Sequence, residues 1–145
     1  MKERDIMISG SFDKTLLLWN MSTYCITVIE GVECYSTNSL YQIDKDRVIV
    51  GGEDSFSIVN IDKCVIEKRI DDESLGRVYC FLKLRDNKTI LCGCDDGILL
   101  FYDMNTKEYK ESSTLDSPIS ELLLIDDNTF LSCSRDYTIK VWQYK

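Results

Sequence analysis

One pattern recurs four times along these 145 residues, and a repeat of that kind limits what the chain can fold into. The copies run from Ile8 to Asn20, Val50 to Asn60, Leu91 to Asp103 and Leu131 to Gln143. Each begins with small residues, passes through an aspartate and continues as an apolar run. The aspartates, Asp13, Asp54, Asp96 and Asp136, lie 41, 42 and 40 residues apart. Six residues after the aspartate comes an aromatic: Trp19, Tyr102 or Trp142. The second copy is one residue shorter and has Val59 there.

Each copy reads as strand, tight turn, strand. The aspartate can accept hydrogen bonds from amides of its own turn. The run after it, such as Leu16 to Trp19, is continuous rather than alternating, which predicts a strand buried on both faces. Each interval has room for two more strands. One set, 36–43, 78–84 and 119–125, precedes turns rich in Asp, Asn and Lys. The other, 24–29, 64–70 and 108–112, follows the aromatic position. Four short strands per period of about 41 residues make a blade, and blades stack radially into a propeller.

The stretches Ser9 to Thr15 and Ser134 to Trp142 resemble the small-Gly-Ser-x-Asp-x-Thr-Ile-x-x-Trp motif of the WD-repeat family, and the resemblance covers essentially the whole chain. It departs in two ways. The family's Gly-His pair is absent, since the chain has no histidine, and the Trp-Asp ending survives only as Trp19-Asn20, Tyr102-Asp103 and Trp142-Gln143. The family's network of Asp, His, Ser/Thr and Trp is therefore not expected to form, and apolar stacking should mainly hold the blades. The resemblance implies an all-β partial β-propeller of about 3.5 four-stranded blades, at roughly 1–30, 31–71, 72–112 and 113–145, in one domain.

Met1 to Asp5 are expected to be a turn between the first and second strands of a blade, and Trp142 lies in a third strand. Two whole blades would then sit between two that lack one strand each. Three readings follow. The chain is the C-terminal part of a larger propeller, which is favoured; or another chain or a second copy completes it; or it folds as an open arc. Open blade edges are expected to pair with other chains or to self-associate. Two copies would not complete each other strand for strand.

Composition narrows the partners. The net charge of −8 disfavours nucleic acid and anionic membrane surfaces, both bound chiefly through Lys and Arg, and favours a basic protein segment. No apolar run is long enough to span a bilayer as a helix, and the start does not read as a signal peptide, so a cytoplasmic protein is expected. The seven cysteines are an odd number, which favours reduced, buried thiols. Without histidine no metal site or Ser/His/Asp triad is expected, and no cofactor either.

The resemblance implies a non-catalytic protein–protein interaction scaffold that binds through the loops of one rim. Expected rim positions include Glu30, Glu33, Asp71, Asp72, Glu73, Arg77, Glu111 and Asp116 in the joining loops. The repeat turns add Asp13, Lys14, Glu53, Asp54, Asp95, Asp96, Arg135 and Asp136. These are thirteen acids against three bases. The protein-binding candidates are Phe12, Glu53, Asp71, Asp72, Glu73, Arg77, Asp95 and Arg135. Phe12, Glu53, Asp95 and Arg135 each precede a repeat aspartate, a position that faces the partner in many relatives. The repeat aspartates, with Trp19, Tyr102 and Trp142, are assigned to the blades themselves, because a residue present once per blade serves the blade. The alternatives are a chain that completes another propeller and, more remotely, a propeller enzyme with carboxylates in its channel.

Overall fold

Short strands joined by tight polar turns build four antiparallel sheets in a computed structural model that describes residues 5–34, 39–113 and 115–144. Met1 to Arg4, and Ser36 to Asn38 of the predicted strand 36–43, lie outside these residues. The first sheet holds β1 (Ile6–Gly10), β2 (Thr15–Asn20) and β3 (Ile26–Glu30). The second holds β4 (Leu40–Gln42), β5 (Arg47–Gly51), β6 (Ser55–Asn60) and β7 (Val65–Asp71). The third holds β8 (Val78–Lys83), β9 (Thr89–Cys94), β10 (Ile98–Asp103) and β11 (Tyr109–Ser113). The fourth holds β12 (Ile119–Leu124), β13 (Thr129–Ser134) and β14 (Ile139–Gln143).

Every sheet is an up-and-down meander, and β4, β8 and β12 lie against one another as the innermost strands. This is the predicted partial propeller. By register, β1 is equivalent to β5, β9 and β13, so the first sheet has no inner strand and the fourth no outer one among the described residues.

The turns follow from polar residues at fixed offsets. Asp44 and Asp86 each accept two amide hydrogen bonds, from Asp46 and Arg47 and from Lys88 and Thr89, turning the first strand into the second. Asn20, Asn60 and Asp103 do the same where the third strand turns into the fourth. Four residues beyond them, Tyr24, Cys64 and Lys107 take left-handed backbone (φ 58°, 54° and 62°). The side chain after the aromatic position, which is Val59 in the second copy, thus folds the turn, a role the spacing alone did not assign.

Three apolar layers lie between consecutive sheets. Leu16, Leu18 and Ile29 meet Val48, Val50 and Val59. Ile49, Phe56 and Ile58 meet Val78, Ile90, Leu100 and Tyr102. Leu82, Leu91 and Leu99 meet Ile119, Leu122 and Phe130. In the second sheet β6 is buried along its whole length, as predicted. In the first, β2 is not: Leu16 and Leu18 are buried, whereas Leu17 and Trp19 are only half-buried. Their side faces away from the second sheet, and among the described residues no sheet covers it.

The family's hydrogen-bond network, not expected to form, is nevertheless present in part, because its serine–tryptophan half needs no histidine. Trp19 Nε1 donates to Ser9 Oγ at 2.9 Å, and Trp142 Nε1 to Ser132 Oγ at 2.8 Å. Where the tryptophan is replaced the serine is replaced too: Val50 accompanies Val59 and Cys92 accompanies Tyr102. Tyr102 is fully buried, and Trp142 stacks on Phe130 with centroids 5.9 Å apart.

None of the seven cysteines forms a disulfide, but the expectation that they are buried holds only for Cys34, Cys80, Cys92 and Cys94. Cys25 and Cys64 are exposed because they sit in the turns before outer strands, and Cys133 is half-buried. Burial pushes the Cys80 thiol up to about 12, and those of Cys92 and Cys94 upward as well. We therefore expect iodoacetamide at pH 8 to label Cys25 and Cys64 within minutes. The four buried thiols should react at least about 100-fold more slowly, by opening of the fold, as read by peptide mass spectrometry. Equal labelling would contradict this packing.

Candidate functional site: the loop rim

The rim is built at the repeat turns. Asp13 Oδ1 accepts from the Thr15 amide (3.0 Å) and hydroxyl (2.6 Å), and Asp136 Oδ1 from the same groups of Thr138 (2.8 and 2.6 Å). These bonds hold both carboxyls below the usual carboxylate range, with the threonine hydroxyl the largest cause in each. Asp54 and Asp96 act differently. Each is itself left-handed (φ 52° and 51°), whereas in the other two turns the next residue, Lys14 or Tyr137, takes that conformation. Ser55 and Gly97 replace the threonine-bearing turn, so the aspartate there serves by tolerating αL rather than by accepting bonds from a threonine.

Neighbouring turns meet along the rim. Phe12, Lys14, Glu33, Cys34, Glu53 and Asp54 line a cleft of about 280 Å³ between the first two sheets, and Phe12 is 73% exposed there. Lys14 Nζ lies 2.9 Å from Glu33 Oε1, and Arg69 Nη2 lies 3.4 Å from the same oxygen. Lys14, by its hydrogen bond, is the largest cause of the lowered Glu33 carboxyl. Further along, Glu53 pairs with Arg77 as a bridge between strands, with Arg77 Nε 3.7 Å from Glu53 Oε1. The Arg77 amide donates to Asp95 Oδ2 at 3.0 Å. The Arg135 guanidinium lies 4.7 Å from the ring centre of Tyr79, a cation–π contact. A hydrogen bond with Tyr79 also raises the Arg77 guanidinium.

Five of the candidates, Phe12, Glu53, Arg77, Asp95 and Arg135, thus follow one another from turn to turn. Phe12 and Arg135 present exposed surface, while the Asp95 carboxylate is half-buried and occupied with backbone. Asp71, Asp72 and Glu73 form a separate group where β7 ends. Asp71 Oδ1 takes the Arg69 Nε bond at 2.6 Å. Asp72 Oδ1 accepts from the Ser74 amide (2.9 Å) and hydroxyl (2.6 Å), and its other oxygen accepts the Tyr109 hydroxyl. The Ser74 hydroxyl first, then Tyr109, lowers the Asp72 carboxyl, and that bond pushes Tyr109 up to about 12. Glu73 is exposed.

Arg69, Tyr79 and Tyr109 were not among the sequence candidates. Arg69 lies inside a strand that reads as outer and solvated, and Tyr79 inside an apolar run. Only Arg69 carries a signal, a base two residues before Asp71 and so on the same side of β7. Its presence makes the rim less acidic than the loop count implied. A second, larger groove of about 780 Å³ lies along the outer part of the third sheet, lined by Thr89, Phe101, Asp103, Thr106 to Lys110. Among the described residues, no group of His, Cys, Asp and Glu is arranged to hold a metal ion.

Comparison with known proteins agrees with the repeat. The family model described as WD domain, G-beta repeat matches residues 110–143, from within β11 through β14. The WD repeat-containing protein 55 homolog of Dictyostelium discoideum is 27% identical over 141 residues, 93% of this chain and 33% of that protein. The chain therefore spans about a third of the length of that curated relative. Among solved structures, the computationally designed Ika4 and Ika8 proteins each match with a TM-score of 0.80 at 19% identity. The match takes in 99% of this chain, with 88% of the Ika4 chain and 44% of the Ika8 chain. At that identity the likeness concerns the fold alone, and the fold is that of a propeller. WD-repeat proteins are in general non-catalytic platforms for other proteins. With a matched repeat at residues 110–143 and three more copies in phase before it, the chain is similar to WD-repeat proteins along its length.

Proposed function

We propose that the chain is a protein-interaction scaffold whose loop rim takes a basic segment of a partner protein. The observation that carries this reading is the acidity left on the rim after its ion pairs are drawn. Lys14, Arg69 and Arg77 offset Glu33, Asp71 and Glu53. Among the described residues, no ion pair is made by Asp72, Glu73, Asp96 and Glu111 around the join between the second and third sheets, nor by Asp116 in the loop from the third sheet to the fourth. A cationic chain laid across this join would gain Coulomb energy and be steered toward it. The same reading assigns the protein to the cytoplasm, where seven cysteines outside any disulfide stay reduced.

The test is binding of a fluorescent Lys/Arg-rich peptide, followed by anisotropy. Affinity should fall at least about tenfold between 50 and 300 mM salt, as the Debye length shortens. Asp71/Asp72/Glu73→Ala together should weaken binding a further three- to tenfold, as about 0.7–1.4 kcal/mol of rim electrostatics is lost. Glu73→Lys alone should act in the same direction without touching the Asp72 hydrogen bonds. Binding indifferent to both salt and these substitutions would end the acidic-rim reading.

A further inference from the structure

We propose that the two outermost sheet faces are one head-to-tail docking surface, and that its occupant is a second copy of this chain. The face of the fourth sheet that points away from the third docks on the face of the first sheet that points away from the second, and two copies close into a ring.

The argument rests on equivalent positions of the repeat. Ile139 lies three residues after its aspartate and is 66% exposed; its counterparts Leu16, Phe56 and Leu99 are all 0% exposed, each buried against the following sheet. Val141 and Leu123 share its face and are exposed too. On the first sheet Met7 is 49% exposed, whereas its counterparts Val48, Ile90 and Phe130 are at most 1% exposed, each buried against the preceding sheet. Ile26 and Val28 accompany Met7 as exposed apolar residues, with half-buried Leu17 and Trp19 between them. Both faces therefore carry the apolar residues of a stacking interface that the chain already makes three times. One is its forward half and the other its rear half. Pairing forward with rear repeats that interface, whereas pairing like with like does not.

Cys133 specifies which sheet follows. At this position the other three sheets have Gly10, Gly51 and Gly93, because the segment leading into the next sheet's inner strand, or that strand itself, comes close. A Cβ on Gly51 would lie 2.6 Å from the Val78 carbonyl oxygen, and one on Gly93 2.7 Å from Ile119 Cγ2. A following sheet with an inner strand so placed would meet the Cys133 side chain. The first sheet has no such strand among its described residues, so it can seat on the fourth without that collision. Two copies give eight sheets, within the range of roughly four to eight blades for closed propellers. A forward-to-rear contact between copies is heterologous, and it stays finite only if the rotation closes.

The experiment is the mass of the purified full chain by light scattering and native mass spectrometry between about 1 and 100 μM. A discrete dimer is expected. Ile139→Glu alone and Met7→Glu alone should each give monomers. Mixed one to one, the two variants should recover a dimer through the single junction that neither substitution touches, at least tenfold weaker than the parent. Circular dichroism checks that both variants remain folded. Should either charge unfold the chain, Ile139→Thr and Met7→Thr, milder changes on the same faces, should raise the dimer dissociation constant and complement each other likewise. A monomeric parent overturns the proposal. So does a dimer that survives Met7→Glu, which would be like faces pairing, and so does a ladder of growing polymers.

Discussion

Gly97→Ala should destabilise the protein by about 2–5 kcal/mol, a large part of the roughly 5–15 kcal/mol that holds a domain folded. Two costs combine. Gly97 has φ +70°, a conformation that costs an L-residue about 1–2 kcal/mol. The added Cβ would also lie 2.0 Å from the carbonyl oxygen of Leu115 and 2.4 Å from its Cβ. Leu115 is itself buried in the layer between the third and fourth sheets, so it cannot retreat without opening that layer. Overpacking of this kind adds about 1–3 kcal/mol. Gly31→Ala is the control. It has a similar φ of +76°, but its Cβ would find only Ile66 Cδ1 at 3.9 Å, so it should cost about 1–2 kcal/mol. Urea unfolding of the two variants separates conformational strain from collision; equal losses would show that Leu115 does yield.

The strand count and the stacking were legible because both rest on local chemistry repeated in phase. A turn residue every forty-odd positions, with an apolar run behind it, dictates a meander wherever it occurs. Which faces are covered was not legible. Leu17 and Leu100 occupy the same place in the repeat, yet Leu100 is fully buried and Leu17 is not, because only Leu100 has a sheet in front of it. An apolar run reports what a strand could bury, not whether a neighbour is there. The rim was partly legible for a similar reason. Phe12 and Arg135 were placed by their offset from the repeat aspartate. The pairing of Glu33 and Asp71, however, involves Arg69, which reaches both from within β7. Nor did identical aspartates do identical work. One residue fewer in the second turn, and a glycine in the third, put Asp54 and Asp96 into left-handed backbone, while Asp13 and Asp136 each cap a threonine.

Phe56→Ala should cost about 3–5 kcal/mol, and it should also divide the unfolding transition in two. Phe56 is fully buried at the middle of the three layers, edge-on to Phe81 (6.5 Å) and to Tyr102 (5.4 Å). Truncation removes both ring contacts and leaves a cavity walled by two sheets, neither of which can collapse without leaving the other. In a stacked repeat, cooperativity is carried by the interfaces between neighbours. Weakening the middle one uncouples the first pair of sheets from the second. The two tryptophans report on the two halves, since Trp19 lies in the first sheet and Trp142 in the fourth. In the parent chain, Trp19→Phe and Trp142→Phe variants should show coincident urea transitions. On the Phe56→Ala background the remaining tryptophan should report different midpoints, with the lower shifted by about 1–3 M given slopes near 1–3 kcal/mol per M. Phe12→Ala, which removes an exposed ring from the rim, should change stability by no more than about 0.5 kcal/mol and leave the transitions together. If the Phe56→Ala transitions stay coincident, the cooperative unit is the whole arc, and its coupling passes through the inner strands β4, β8 and β12 rather than through the apolar layers.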